Sequence, residues 1–209
     1  SRGIHIVPAT GRSITGLARK VRDLPFVRYG ITVNGAAVWD MREELCIARR
    51  AFSNGQALEI WDFLEQYHTM TDACVDGTAR MSPEYYRELD RYMPDEPRRF
   101  LIRSTRVPTE AIRDWIRDPE KTVEKFNIFF EQRREADRLR AREELKQFDY
   151  LAVTTSLGNN LEINHKDATK GNGLKALADY LGVAREETMA FGDGENDISM
   201  LSQAGVGVA

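Results

Sequence analysis

From Met189 to Ala209 the chain reads MAFGDGENDISMLSQAGVGVA. An apolar run, Thr188 to Phe191, ends in Gly192-Asp193-Gly194, a turn crowded with acids follows, and Ile198 to Gln203 carries a helical pattern. A second apolar run, Val206-Gly207-Val208, then begins. Strand, acidic turn, helix and strand in this order predict two parallel strands joined by a crossover helix. The opposite end has the same texture. Ile4-His5-Ile6-Val7 reads as a strand running into Pro8-Ala9-Thr10-Gly11, and a helix is expected from Ser13 to Asp23 with Ser13 as N-cap. Tyr29 to Val33 reads as a strand closed by the turn dipeptide Asn34-Gly35. Leu161-Glu162-Ile163 reads as a further core strand. Gly171 to Leu181 is a helix with apolar residues at 174, 177, 178 and 181, an i, i+3, i+4, i+7 face.

The stretch between these ends differs. Val38-Trp39 and Leu45-Cys46-Ile47 read as a hairpin across Asp40–Glu44, and Ser53 to Tyr67 as a helix. His68–Val75 and Ala79–Met81 flank the hairpin signal Asp76-Gly77. Helices are expected from Ser82-Pro83-Glu84, over Pro108–Arg117 and over the charged Arg133–Gln147, with strands over Thr122–Phe130 and Tyr150–Ser156. The expected fold class is therefore α/β. Residues 1–36 and 161–209 form a discontinuous parallel-sheet core, and residues 37–160 form an inserted α+β domain.

Composition narrows the function classes. A chain of 209 residues with 30 basic and 33 acidic side chains has a net charge of −3. That balance argues against nucleic acid as a partner. No apolar stretch approaches a membrane span, so no membrane partner is expected. Two cysteines, Cys46 and Cys74, make neither a disulfide framework nor a metal cluster. They read as reduced thiols of a cytoplasmic protein. The sequence sets no oligomeric state.

Open parallel sheets bind ligands at the carboxyl ends of their strands, and four clusters fall there. Thr10 and Gly11, beside Arg12, offer a hydroxyl and an open backbone N–H at the start of a helix, an anion site or a simple turn. Lys170 opens a helix against the helix dipole, which a neighbouring anion would offset; the alternative is a solvated lysine. Asp193, Glu195 and Asp197 crowd one strand-to-helix turn with Asn196, a set suited to Mg²⁺ or to helix capping. Asn34 either faces the same crevice or makes the turn. Taken together they describe a phosphate site in which Mg²⁺ and Lys170 neutralise a phosphoryl group held by Thr10 and Gly11.

The strings IVPATGR, TVNGA, LEINHKDATKGNGLKALADYLGV and MAFGDGENDISMLSQAGVGVA resemble the haloacid dehalogenase (HAD) superfamily. More narrowly, they resemble its Cof-type sugar-phosphatase branch, which has a Rossmann-like parallel-sheet core and a large α/β cap. The resemblance covers roughly the first forty and last fifty residues, and the middle matches the cap in position and texture. It implies that Thr10 hydrogen-bonds the phosphoryl oxygen and that Lys170 steadies an aspartyl-phosphate intermediate. It further implies that Asp193 ligates Mg²⁺, that Asp197 supports the metal directly or through water, and that Asn196 contacts phosphate or substrate. Gly11 and Arg12 would line the phosphate pocket or the cap interface, and Asn34 would face the substrate.

The family's D-x-D-G-T motif, source of the nucleophilic and acid/base aspartates, is not found in these residues. Cys74-Val75-Asp76-Gly77-Thr78 has a cysteine where the nucleophile belongs and reads as a hairpin turn. The expectation is a fragment of a longer enzyme, incomplete in its core and inactive as given. Its implied activity is Mg²⁺-dependent hydrolysis of small phosphorylated metabolites such as sugar phosphates. A phosphomutase of related fold, or an inactive protein that binds phosphometabolites, are the alternatives.

Overall fold

A computed structural model of the chain describes residues 3–209. It forms two compact units, Ser1–Arg50 with Lys166–Ala209, and Ala51–His165. The second is an insertion in the first. The divisions lie at 50/51 and 165/166 rather than the expected 36/37 and 160/161, and strand pairing gives the reason.

In the first unit, Ala9 makes a parallel bridge to Ile31. The helix expected over Ser13–Asp23 is broken into a short 3-10 turn, Ile14–Gly16, and one helical turn, α1 (Arg19–Arg22). Ser13 does cap, its hydroxyl accepting the Gly16 N–H at 3.2 Å, but β-branched Ile14 and Thr15 followed by Gly16 give helix propensity too low to continue. Strands β1 (Tyr29–Thr32), β2 (Ala37–Asp40) and β3 (Leu45–Arg49) form an antiparallel meander. The expected hairpin at 38–47 therefore pairs into the first unit.

The insertion opens with α2 (Asn54–Leu64), closed at its start by a capping box between Ser53 and Gln56. Strands β4 (Met70–Val75) and β5 (Thr78–Met81) make the hairpin, turning through Asp76 and Gly77 at φ 48 and 74°. Helices α3 (Pro83–Arg87), α4 (Leu89–Tyr92) and α5 (Glu96–Thr105) follow, then β6 (Arg106–Pro108), α6 (Ile112–Arg117), β7 (Val123–Phe129), α7 (Glu135–Glu144), β8 (Leu151–Thr154) and β9 (Asn160–His165). Pro108 thus ends an edge strand instead of starting a helix, a position where its missing N–H costs nothing. The six strands run β6-β5-β4-β7-β9-β8. Because β9 pairs with both β7 and β8, Leu161–Ile163 belongs to this sheet and not to the core. Side chains alternate along it: Ala73, Val75, Phe126, Ile128, Leu161 and Ile163 bury themselves with α2 and α6 residues. Asp72, Cys74, Lys125, Asn127, Glu162 and Asn164 take the alternate positions.

The first unit resumes with α8 (Lys170–Leu181), β10 (Met189–Phe191), α9 (Ile198–Gln203) and β11 (Val206–Val208). β10 and β11 pair in parallel across α9, as the terminal pattern requires. Although the run is apolar, only Ala190 of β10 is buried, packing with Met200 and Ala204, whereas Met189 and Phe191 are exposed.

Candidate active site

Lys170 is the first residue of α8, where the Thr169 hydroxyl caps the helix by accepting the Asn172 N–H at 3.1 Å. An ammonium here opposes the helix dipole, and Lys170 is also buried. The offset comes from the acidic turn. Lys170 Nζ donates to Asp197 Oδ1 at 2.5 Å and to Asn196 Oδ1 at 3.4 Å. Asp197 Oδ2 accepts the Gly194 N–H at 3.1 Å. Burial pushes the Asp197 carboxyl upward, but Lys170 and the backbone N–H groups of Gly194 and Asp193 outweigh it and hold the group below its ordinary value. The site thus presents a charged aspartate paired with a buried lysine.

A second arm reaches the same place. Asn196 Nδ2 donates to Asn34 Oδ1 at 3.1 Å. The Asn34 turn is tied to the 10–12 loop, since the Asn34 N–H donates to the Thr10 carbonyl at 3.0 Å and the Val33 N–H to the Arg12 carbonyl at 2.9 Å. A Cβ on Gly11 would stand 2.7 Å from Asn34 Oδ1, so only glycine leaves the asparagine its place. The Gly171 N–H donates to Ser199 Oγ at 3.1 Å, holding the starts of α8 and α9 together.

Of the residues read from sequence, the structure therefore gathers Lys170, Asp197, Asn196, Asn34 and Gly11 into one cluster, and Thr10 joins it through its backbone. The Thr10 hydroxyl accepts the Arg12 N–H at 3.2 Å, and the side chains of Arg12 and Asp193 are exposed. With the expected helix at 13–23 broken, the 10–12 loop has no helix dipole behind it. Sequence reasoning named the residues but not the Lys170–Asp197 and Asn34–Asn196 partnerships. It passed over Thr169 and Ser199, whose only signal was their place at helix starts. Cys74 lies in the insertion, buried, its thiol donating to Glu124 Oε2 at 3.1 Å.

The fit to Mg²⁺ rests on donor chemistry. Among the described residues there is no group of three His, Cys, Asp or Glu able to hold a metal ion. Asp197 spends Oδ1 on Lys170 and Oδ2 on Gly194. Mg²⁺, however, keeps several waters and takes one or two carboxylates with substrate phosphate oxygens. The exposed Asp193 would supply one such carboxylate, which fits an ion completed by phosphate and water.

Residues 1–209 match the model of the haloacid dehalogenase-like hydrolase family. The chain belongs to that family. Phosphatase YwpJ of Bacillus subtilis is 28% identical over 226 residues, covering 99% of this chain and 77% of that protein. The 5-amino-6-(5-phospho-D-ribitylamino)uracil phosphatase YcsE of the same organism is 25% identical over 208 residues, covering 100% of this chain and 70% of that protein. A haloacid dehalogenase-like hydrolase from Bacteroides thetaiotaomicron superposes with a TM-score of 0.77 at 23% identity, over 99% of this chain and 75% of that one. A HAD subclass IIB sugar phosphatase does so at 0.73 and 24%, over 98% and 73%. At those identities the structures establish a shared fold. By family the protein is a phosphatase-type hydrolase of the Cof-type branch. Among the described residues no helix is long and apolar enough to cross a membrane.

Proposed function

We propose that the chain supplies the phosphate-binding half of a Mg²⁺-dependent phosphomonoester hydrolase acting on small phosphorylated metabolites such as sugar phosphates. One observation carries the reading. A buried lysine at a helix start is tied by two of its donors to Asp197 and Asn196, which leaves a third N–H for a phosphoryl oxygen. Thr10, Gly11 and Arg12 stand on the loop tied to this cluster and would hold the remaining oxygens. Asp193 would hold Mg²⁺, with Asp197 reaching it only through water. When bound, the ion would neutralise charge on the phosphoryl group. Lys170 would balance the growing negative charge as the phosphoryl group moves, which is the main demand of phosphoryl transfer.

The resemblance assigns the nucleophile to a D-x-D-G-T segment that these 209 residues do not contain. The one similar string, 74–78, lies on the β4–β5 hairpin with Cys74 buried. Aspartyl-phosphate formation is therefore assigned to residues outside this sequence. The test is titration calorimetry of the chain with orthophosphate and hexose phosphates, with and without Mg²⁺, beside a turnover assay on a generic aryl phosphate. Mg²⁺-enhanced binding without turnover is expected. Absence of binding would contradict the phosphatase reading, and robust turnover would show that the nucleophile has been misplaced.

A further inference from the structure

Three consecutive residues beside the site have left-handed backbones: Val33, Asn34 and Gly35, at φ 53, 60 and 97°. For glycine this is ordinary and for asparagine tolerable, but for a β-branched valine it is a true outlier. Such strain persists only where surrounding contacts impose it. Here the Val33 N–H bonds the Arg12 carbonyl and the Asn34 N–H bonds the Thr10 carbonyl, at 2.9 and 3.0 Å. Gly35 lies so close to α8 that a Cβ would come within 2.0 Å of the Thr169 carbonyl. The strained turn places one side chain, Asn34, which is buried.

The chemistry of that side chain follows from its neighbours. An ammonium only donates, so Asn196 must turn its oxygen toward Lys170, as observed at 3.4 Å. Its NH₂ group then faces Asn34, which must offer an oxygen, as it does at 3.1 Å. Asn34 thus adds to Lys170 in keeping the Asn196 amide from flipping, since a flipped amide would aim its donors at the ammonium and its oxygen at the Asn34 oxygen.

We infer that Asn34 is a positioning residue: held by the strained 33–35 turn, it locks the Asn196 amide so that Lys170 keeps one fixed donor for the phosphoryl oxygen. The role differs from substrate contact and rests on the phosphate-site reading above.

The test is a double-mutant cycle on orthophosphate affinity, measured by calorimetry in Mg²⁺ with Asn34→Gly, Asn196→Ala and the double variant. Glycine accepts φ near +60°, so Asn34→Gly keeps the turn while removing the acceptor. Loss of one held hydrogen bond should weaken phosphate binding about 3- to 10-fold. In the Asn196→Ala background the same change should do nothing, because its intermediary is gone. Additive losses, or no loss in Asn34→Gly, would overturn the inference. A second readout needs no phosphate. In ¹⁵N-edited NMR the Lys170 ammonium protons should exchange several-fold faster in Asn34→Gly, and again in Gly11→Ala, which displaces Asn34 by crowding. Unchanged exchange in both would refute the positioning role even if the chain bound no phosphate. Phosphate binding that is absent, with the NMR effect present, would instead count against the phosphate reading alone.

Discussion

Among the described residues, two lysine–carboxylate pairs are buried, Lys170–Asp197 at 2.5 Å in the first unit and Lys125–Glu162 at 2.6 Å in the insertion. Their side-chain exposures are nearly equal, 7 and 10% against 9 and 11%. What surrounds them differs. Lys125 and Glu162 stand on neighbouring strands in regular register, β7 against β9. Ser156 Oγ also donates to Glu162 Oε1 at 2.6 Å. Arg106 with Asp72, and Asn160 with Asn127, continue the same kind of pairing along the sheet. Lys170 and Asp197 stand at a helix start and a loop, beside three left-handed residues. Identical chemistry on an unstrained sheet reads as structure. On strained, loop-held termini it reads as a site, because backbone strain is kept where geometry matters more than stability.

The largest effect that would break this contrast is on stability. Lys125→Met should cost about 3–5 kcal/mol in urea denaturation, since it takes the ammonium away from the buried Glu162 carboxylate, while phosphate affinity stays as it was. A phosphate defect in that variant would erase the distinction between the two pairs.

Next is the strained turn. Gly35→Ala meets both the +97° backbone and the Thr169 carbonyl, and should destabilise by more than about 1 kcal/mol. A melting temperature equal to wild type would show that the close approach to α8 is slack.

Smaller still is the pH response. Asp197 is held below its ordinary carboxyl value in the folded chain. Its stabilising contribution is complete above the unfolded value of about 3.9 and is lost only as pH falls through the lower folded one. The stability gap between wild type and Asp197→Asn should stay level from about pH 7 to 5 and close only under stronger acid. A gap that shrinks near neutrality would contradict the pairing.

The smallest test concerns thiols. Burial, together with Glu124, pushes the Cys74 thiol well above its usual range, so alkylation of the native chain should modify half-buried Cys46 and spare Cys74. Labelling of Cys74 without unfolding would show the insertion's polar sheet face to be open.

Much of the fold could be read from sequence because its signals are local. Ser53 with Gln56, Ser82 with Pro83, and Asp76-Gly77 announce their caps and turn within four residues, and the structure has each of them. Where pairing is non-local the reading slipped. Leu161–Ile163 looks the same whether it joins the core or the insertion, and only its partners β7 and β8 decide. Helix α5 went unread because Glu96–Thr105 bunches its few apolar residues at Phe100-Leu101-Ile102 and shows no helical spacing of them. Within the site, residue types were legible, since acids after a strand and a lysine at a helix start are unusual choices. Their partnerships were not. Val33 carries no sign of a positive φ, and Asn34 and Asn196 lie 162 residues apart.

The most direct measurement of the central claim is orthophosphate affinity, by calorimetry in Mg²⁺, for wild type, Lys170→Met and Lys125→Met side by side. A charge-assisted contact is worth about 1.5–3 kcal/mol, so Lys170→Met should bind at least about 10-fold more weakly while Lys125→Met, if folded at the assay temperature, matches wild type. Equal affinity in wild type and Lys170→Met would contradict the account.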